Sequence, residues 1–310
     1  MRAAAEKRRI GNCLTDRGEL PCPVCGSSAP VENHVADVQL HRCPSCDHCF
    51  TDINSLEHLG AYDKDWEALH NNWFANPNVA LFEYVAHTIE DRKRAASVID
   101  IGAGRGELLR YLHDRDPELS LTGIDVALEP EIDGVEIMRE DVMSIDLGGR
   151  EWDVAVSLAT IEHLDDVQRF AERLRSLLAP GGLAIVSTNN ERGMPYDVAR
   201  ALRRVGYATA FERLYDRHHL NHFNPTSLKV LMERSDFRLL ELRRHNIPLA
   251  AVDMPRESRV LRAGVWGTFA LGRLTGRTFF QTVVAVKDEN SAGLVGPGEV
   301  SRRGLRPGSR

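Results

Sequence analysis

The sequence predicts an α/β protein: a seven-stranded, mostly parallel sheet wrapped by helices, with a small N-terminal metal-binding module and helical insertions toward the carboxyl end. Three observations carry this. Val98–Ile101 reads as a short buried strand, Gly102, Gly104 and Gly106 as a tight turn, and residues 107–112 as the start of a helix with Leu108, Leu109 and Leu112 inward. Strand, glycine turn and helix open a nucleotide-binding α/β unit. Strand and helix patterns then continue to alternate as far as residue 186. Ahead of them, Cys22, Cys25, Cys43 and Cys46 stand in C-x2-C-x17-C-x2-C spacing, which is that of a zinc ribbon.

The glycine spacing discriminates between ligands. A dinucleotide fingerprint has its third glycine one position later, where a helix N-terminus meets a pyrophosphate. Here that position is Glu107. A carboxylate there suits the helix dipole but repels a pyrophosphate, so a phosphate-free nucleoside carrying an amino acid tail fits better.

Composition sets the class. With 310 residues, 43% hydrophobic and 27% charged, the chain can hold one large domain and a small one. Met1–Ile10 has no apolar signal region, and no apolar run approaches the ~20 residues of a membrane span; cytoplasm is the expected compartment. Six cysteines, five of them between Cys22 and Cys49, do not read as a secreted disulfide framework. The net charge of −6 hides a gradient: residues 1–199 carry 19 Lys/Arg against 35 Asp/Glu, and residues 200–310 carry 20 against 10.

The predicted units follow in order: an arm over 1–19, the ribbon over 20–53, a linker and lid helix over 54–95, the main domain over 96–287 with insertions at about 190–222 and 247–276, and a disordered tail over 288–310. In the ribbon, each CPxC turn aims two thiolates at one ion, and Gly26 or Asp47 takes the left-handed position that follows. Four thiolates close a tetrahedral shell, so the metal is structural. Cys13, His41, His48 and Cys49 are spare candidates, with Cys49 reading as strand core. Loss of the ion is expected to unfold residues 20–50 while leaving the cofactor site largely intact. The linker is rich in aromatics (Tyr62, Trp66, Trp73, Phe74) and is read as packing over the cleft, with Tyr62 and Trp66 as lid candidates. Residues 79–94 form a helix with Leu81, Val85 and Ile89 on one face.

In the main domain, Leu121–Asp125 is a second strand ending in an acid, residues 135–138 are a third strand followed by Glu140-Asp141-Val142, and Trp152–Leu158 is a fourth. Ala159-Thr-Ile-Glu-His-Leu164 follows at the carboxyl edge of the sheet, where open α/β sheets bind ligands. A helix, a Pro-Gly-Gly break and a fifth strand end at Val186. The series VIDIGAGRG, TGID, REDV, ATIEHL, LLAPGGL resembles the motif series of the class I S-adenosylmethionine (SAM)-dependent methyltransferases, with their Rossmann-like seven-stranded sheet. The resemblance covers Val98–Val186, and one departure from it is Ala103, where many relatives have Cys. It implies SAM as cofactor, held by Asp100, Gly102, Ala103, Gly104, Gly106, Asp125, Val126, Asp141, Val142 and Leu158. Asp125 would accept the ribose hydroxyls and Asp141 the adenine amino group. The ribbon plus this core resembles a bacterial subgroup tied to methylation of sugars, polyketides and other small molecules.

Residues 189–220 read as a helical insertion with Val198, Leu202 and Val205 on one face. Asn224 or Thr226 caps the helix that follows. Sixth and seventh strands fall at 237–244 and 279–286. Between them, residues 247–275 mix Val260, Leu261, Trp266 and Leu274 with Arg256, Arg259, Arg262 and Arg273, a basic amphipathic hairpin that covers the sheet or touches a membrane surface.

Methyl transfer is an in-line displacement that needs a held nucleophile and often a base. Histidine suits the base because it titrates near neutrality, and His222, His219 and His163 are candidates in that order. The leading reading is a SAM-dependent methyltransferase acting on O or C of a small, possibly sugar or lipid-linked, acceptor. The alternatives are an RNA methyltransferase docking through the ribbon, and a catalytically silent SAM-fold scaffold. Residues 1–60 hold 6 Lys/Arg and 8 Asp/Glu, which speaks against a phosphate-docking module.

Overall fold

The computed structural model describes residues 18–35, 38–56, 71–92, 96–126, 131–254 and 258–288. The arm up to residue 17, Cys13, Tyr62, Trp66, Arg256 and the tail beyond Asp288 lie outside the described residues. Strands β1 (Leu20–Pro21) and β2 (Ser28–Ala29) flank the first CPxC turn, and β3 (Val31–Val35), β4 (Val38–Arg42) and β5 (Cys49–Thr51) form an antiparallel sheet around the second. Gly26 and Asp47 both take positive φ, at 77° and 60°, which turns each cysteine pair back on itself.

Helices α1 (Asn71–Ala75) and α2 (Val79–Arg92) lead into the main sheet. Leu81, Val85 and Ile89 of α2 are buried, on the face that their four-residue spacing predicts. The sheet then builds in chain order from β6 (Ser97–Ile101), α3 (Glu107–Arg115), β7 (Ser120–Ile124), β8 (Glu136–Met138), β9 (Trp152–Leu158), α4 (Val167–Ser176) and β10 (Leu178–Asn189). An insertion of α5 (Met194–Arg204), α6 (Thr209–Leu214) and β11 (Asn221–His222) follows. The chain closes with α7 (Pro225–Arg234), β12 (Phe237–His245), α8 (Arg259–Thr275) and β13 (Phe280–Lys287).

The seven strands run in the order β12-β13-β10-β9-β6-β7-β8. β10, β9, β6, β7 and β8 are parallel, and β13 is antiparallel to both its neighbours. Central strands covered on both faces need continuous apolar runs, and Val98, Ile99, Val154, Val156, Ile185 and Val284 are all fully buried. Asn224 caps α7 by a reciprocal capping box with Ser227, the arrangement that satisfies two orphan backbone donors at once.

Two insertions depart from the sequence reading. In α5, Leu202 and Val205 are exposed, and the inward face is Tyr196, Ala199, Arg200 and Arg203. Tyr196 and Ala199 pack with Phe211, Tyr215, Val35, Val38 and Leu40. Arg203 lies over the Phe211 ring, its Cζ 4.2 Å from the centroid. The i, i+3, i+4, i+7 spacing holds, but aromatic rings and guanidinium stems outcompete the aliphatic row. The second insertion is one helix, α8, preceded by a short 3-10 turn at Leu249–Ala251, and not a hairpin.

The ribbon is built into the main domain. β11 pairs with β5 (Asn221 with Phe50, His222 with Cys49), so a strand of the insertion completes the ribbon's sheet. Cys22, Cys43, Cys46 and Phe50 share one hydrophobic cluster with Ile99, Phe223 and Leu228. A buried ionic knot reinforces the seam. Glu191, whose side chain is 0% exposed, accepts from Arg42 of the ribbon at 2.7 Å and from Arg200 and the Tyr215 hydroxyl at 2.5 Å. Arg192 and Arg42 both reach Asp47, and burial notwithstanding, these cations hold the Asp47 carboxyl below its ordinary range. Removing one member of a buried ion network leaves uncompensated charge. Glu191→Ala is therefore expected to cost roughly 3–5 kcal/mol, read as a lower denaturation midpoint in urea.

Candidate functional site

The carboxyl ends of β6, β7, β8 and β9 converge on one cleft of about 300 Å³, the position at which open α/β sheets bind ligands. The loop after β6 forms its floor. Gly102, Gly104 and Gly106 all have positive φ, a region that L side chains reach poorly. At Gly102 space is also decisive: a Cβ would come within 2.2 Å of the Thr160 hydroxyl. Thr160 is in turn fixed by contact of its hydroxyl with the Ile101 carbonyl at 3.3 Å.

Asp125, directly after β7, accepts the Gly104 N–H at 3.0 Å, tying the second strand's acid to the glycine loop. Asp141, after β8, accepts the Met143 N–H at 2.9 Å and lines the cleft with Val142. Ala103, Val126 and Leu158 complete an apolar lining around these acids. Asp100 lies at the base, where burial, aided by the charges of Asp125 and Glu107, pushes its carboxyl up to about 7. Of the ten residues that sequence nominates for the cofactor, nine line this cleft; Gly106 stands behind it as the left-handed residue before α3. A crowd of carboxylates suits a ligand bearing positive charge, and the bare main chain at Gly102–Gly104 fits a flat, phosphate-free nucleoside.

Aromatic rings and one imidazole line the same cleft. Trp73, Phe74, Phe82 and Phe280 contribute rings, and Arg105 stacks over Phe74 at 4.3 Å. The part of the aromatic linker that is described thus lies over the cleft. His163, in the turn after β9, also lines the cleft. Its Nδ1 is 2.9 Å from the His218 carbonyl, and because a carbonyl only accepts, Nδ1 carries the hydrogen and Nε2 of the neutral ring carries a lone pair.

The His219 ring packs against that of His163 at a tilt of 51°, ring centroids 4.9 Å apart. Glu162 is buried beside them, with an oxygen that accepts the Thr188 hydroxyl at 2.8 Å; burial pushes its carboxyl up to about 7. Ligand-type atoms of Glu162, His163 and His219 lie within 4.8 Å of one another. Sequence reasoning passed over Glu162, although it sits inside the ATIEHL motif and its neighbour was nominated.

His222, the first of the three histidines by sequence, is elsewhere. It lies in β11, fully buried, 4.7 Å from the Tyr215 ring, with neither ring nitrogen hydrogen-bonded among the described residues. Burial, then the nearby His219, His48 and Arg42, push it well below its ordinary pKa. Pairing with Cys49 turns it into the ribbon's sheet, away from the cleft.

At the ribbon, the four nominated sulfurs gather within 4.8 Å of one another. Cys22 and Cys46 are 3.6 Å apart, Cys25 and Cys43 3.4 Å. A tetrahedral ion with bonds of about 2.3 Å separates its sulfurs by about 3.8 Å, so the donor set fits. Cys49 is outside this group and fully buried in strand core. From the ribbon a short relay reaches the cleft: His48 Nε2 is 3.1 Å from Asn221 Oδ1, and Asn221 Nδ2 donates to the Leu164 carbonyl at 2.6 Å.

These features agree with comparisons to known proteins. A family model described as a methyltransferase domain matches residues 73–242, more than half of the chain, and the chain belongs to that family as a class I SAM-dependent methyltransferase. A probable SAM-dependent methyltransferase of Mycolicibacterium smegmatis is 24% identical over 201 residues, covering 63% of this chain and 71% of that protein. The ubiquinone biosynthesis O-methyltransferase of Rickettsia bellii is 24% identical over 159 residues, and the chain spans 63% of its length. Among solved structures, the plantazolicin methyltransferase BpumL in complex with a monoazolic desmethylPZN analog and S-adenosylhomocysteine (SAH) superposes with a TM-score of 0.50 at 16% identity, over 73% of this chain and 91% of that one; this likeness shows the fold. No helix among the described residues is long and apolar enough to cross a membrane.

Proposed function

We propose that this methyltransferase transfers a methyl group to an oxygen or carbon of a small acceptor, with a structural zinc in the ribbon. One observation carries the reading: a single cleft is lined by acids, by the bare backbone of the glycine loop, by aromatic rings and by His163. When bound, SAM supplies an electrophilic methyl on a positively charged sulfur. Asp125 would grip the ribose hydroxyls, Asp141 the adenine amino group, and Gly102–Gly104 the backbone-facing side. Trp73, Phe74 and Phe280 would hold an apolar or aromatic acceptor and exclude water. His163 Nε2 would take the acceptor's proton as its oxygen or carbon attacks, with His218 fixing the ring through Nδ1. The donor set Cys22, Cys25, Cys43 and Cys46 would hold zinc as a closed, structural site.

Replacing His163 with Gln tests the assignment of the base. It is expected to lower kcat by about 10²-fold or more while SAH affinity, measured by calorimetry, is unchanged. Equal loss of SAH binding would mean that His163 belongs to the cofactor end. SAH binding with no turnover on any acceptor by the wild-type chain would favour a silent scaffold.

A further inference from the structure

Helix α8 presents an apolar face that nothing among the described residues covers. Val260 and Leu274 are each 86% exposed, and Leu271 is exposed too. At 100° per residue the three fall within about 60° of one another around the helix. The small residues Ala263 and Gly267 lie between them in the same stripe. Along one border of the stripe run Arg259, Arg262 and Arg273, with Trp266, 63% exposed, in the same row. Arg259–Thr275 contains no Asp or Glu. An outward apolar stripe, bordered by arginine and tryptophan and free of acids, is the pattern of a helix lying in a lipid interface, where indole and guanidinium sit at headgroup level. Charge complementarity selects the occupant, since residues 200–310 hold twice as many Lys/Arg as Asp/Glu.

The inward face of the same helix leads to the cleft. Val265 and Phe269 pack with Trp73, Ala159, Ala251 and Phe280, four residues that line the cleft. From this arrangement we infer that α8 docks the enzyme on an anionic bilayer surface and sets the acceptor end of the cleft beside the lipid, so that the acceptor is a lipid-borne molecule. This rests on the proposed methyl-transfer site for the acceptor's identity, while the docking itself does not.

The test is co-sedimentation of the full chain with vesicles of phosphatidylcholine alone and of phosphatidylcholine containing phosphatidylglycerol. Binding is expected only to the anionic vesicles, with a blue shift of tryptophan emission that Trp266→Phe removes. The double variant Arg259→Gln/Arg273→Gln is expected to lower partitioning about 30-fold, each arginine near an anionic surface contributing its usual share. Val260→Glu/Leu274→Glu is expected to abolish binding while SAH affinity and methylation of a water-dispersed acceptor stay as in the wild type. Undiminished vesicle binding by that variant overturns the proposal, as does failure of the wild type to bind. A wild-type dimer in light scattering that the same variant converts to a monomer also overturns it, assigning the face to a second copy. Because SAH affinity and soluble turnover are read separately, failure of docking is distinguishable from failure of the active-site assignment.

Discussion

Asp125→Ala is expected to weaken SAH binding by about 2–3 kcal/mol, the loss of charge-assisted bonds to two ribose hydroxyls, which is roughly 30- to 150-fold in Kd. The expectation rests on position. Asp125 ends β7 at the carboxyl edge of the sheet and is anchored to the glycine loop by the 3.0 Å bond from the Gly104 amide. Removing the carboxylate costs both the ligand contacts and part of the loop's order. Asp125→Asn keeps the shape and an acceptor oxygen but loses the charge, so it should fall between wild type and Ala. Calorimetry with SAH checks this, and an unchanged affinity would show that the nucleoside lies elsewhere.

Loss of the proposed ribbon zinc is the second large effect. Structural zinc in small modules contributes about 10–16 kcal/mol of apparent binding energy, comparable with the roughly 5–15 kcal/mol that stabilises a whole domain. Cys43→Ser, or prolonged chelation, is expected to release about one zinc per chain by elemental analysis and to lower Tm steeply. The sequence alone suggests that the cofactor site would stay largely intact on such a loss, and the fold indicates which part is most exposed to it. β11 is a strand of the ribbon's sheet, and Asn221 links His48 to the Leu164 carbonyl, one residue from His163. The acceptor end should suffer first: kcat falls and acceptor KM rises at temperatures where residual SAH binding is still measurable. Equal activity in the metal-free protein would sever the ribbon from catalysis.

The legible parts of this fold are those written in short-range pattern. The glycine turn, the strand-end acids and the paired CPxC turns each occupy a few consecutive residues, and the sheet brings nearly all of them to their expected places. What escaped depends on partners far away in the chain. Glu191 meets Arg42 across 149 residues and His48 meets Asn221 across 173. No local spacing announces that β11 will cross to β5, and that pairing alone takes His222 out of the cleft and leaves His163 in it. The α5 face was missed for a related reason: the helical period was right, but the ribbon sheet offered a bed for a tyrosine and two arginines rather than for aliphatic residues.

The shared sheet also bears on how such a chain can diversify. The family match begins at residue 73, beyond the ribbon, yet strand β11 lies inside it and has β5 as its partner. A descendant that lost the cysteine-rich head would expose a bare strand edge, an invitation to aggregate, and would strand the Glu191 carboxylate with one counter-ion fewer. Head and crossing strand are therefore heritable only as a pair, whereas the turn bearing Thr160 and His163 has no strand partner in the ribbon's sheet among the described residues.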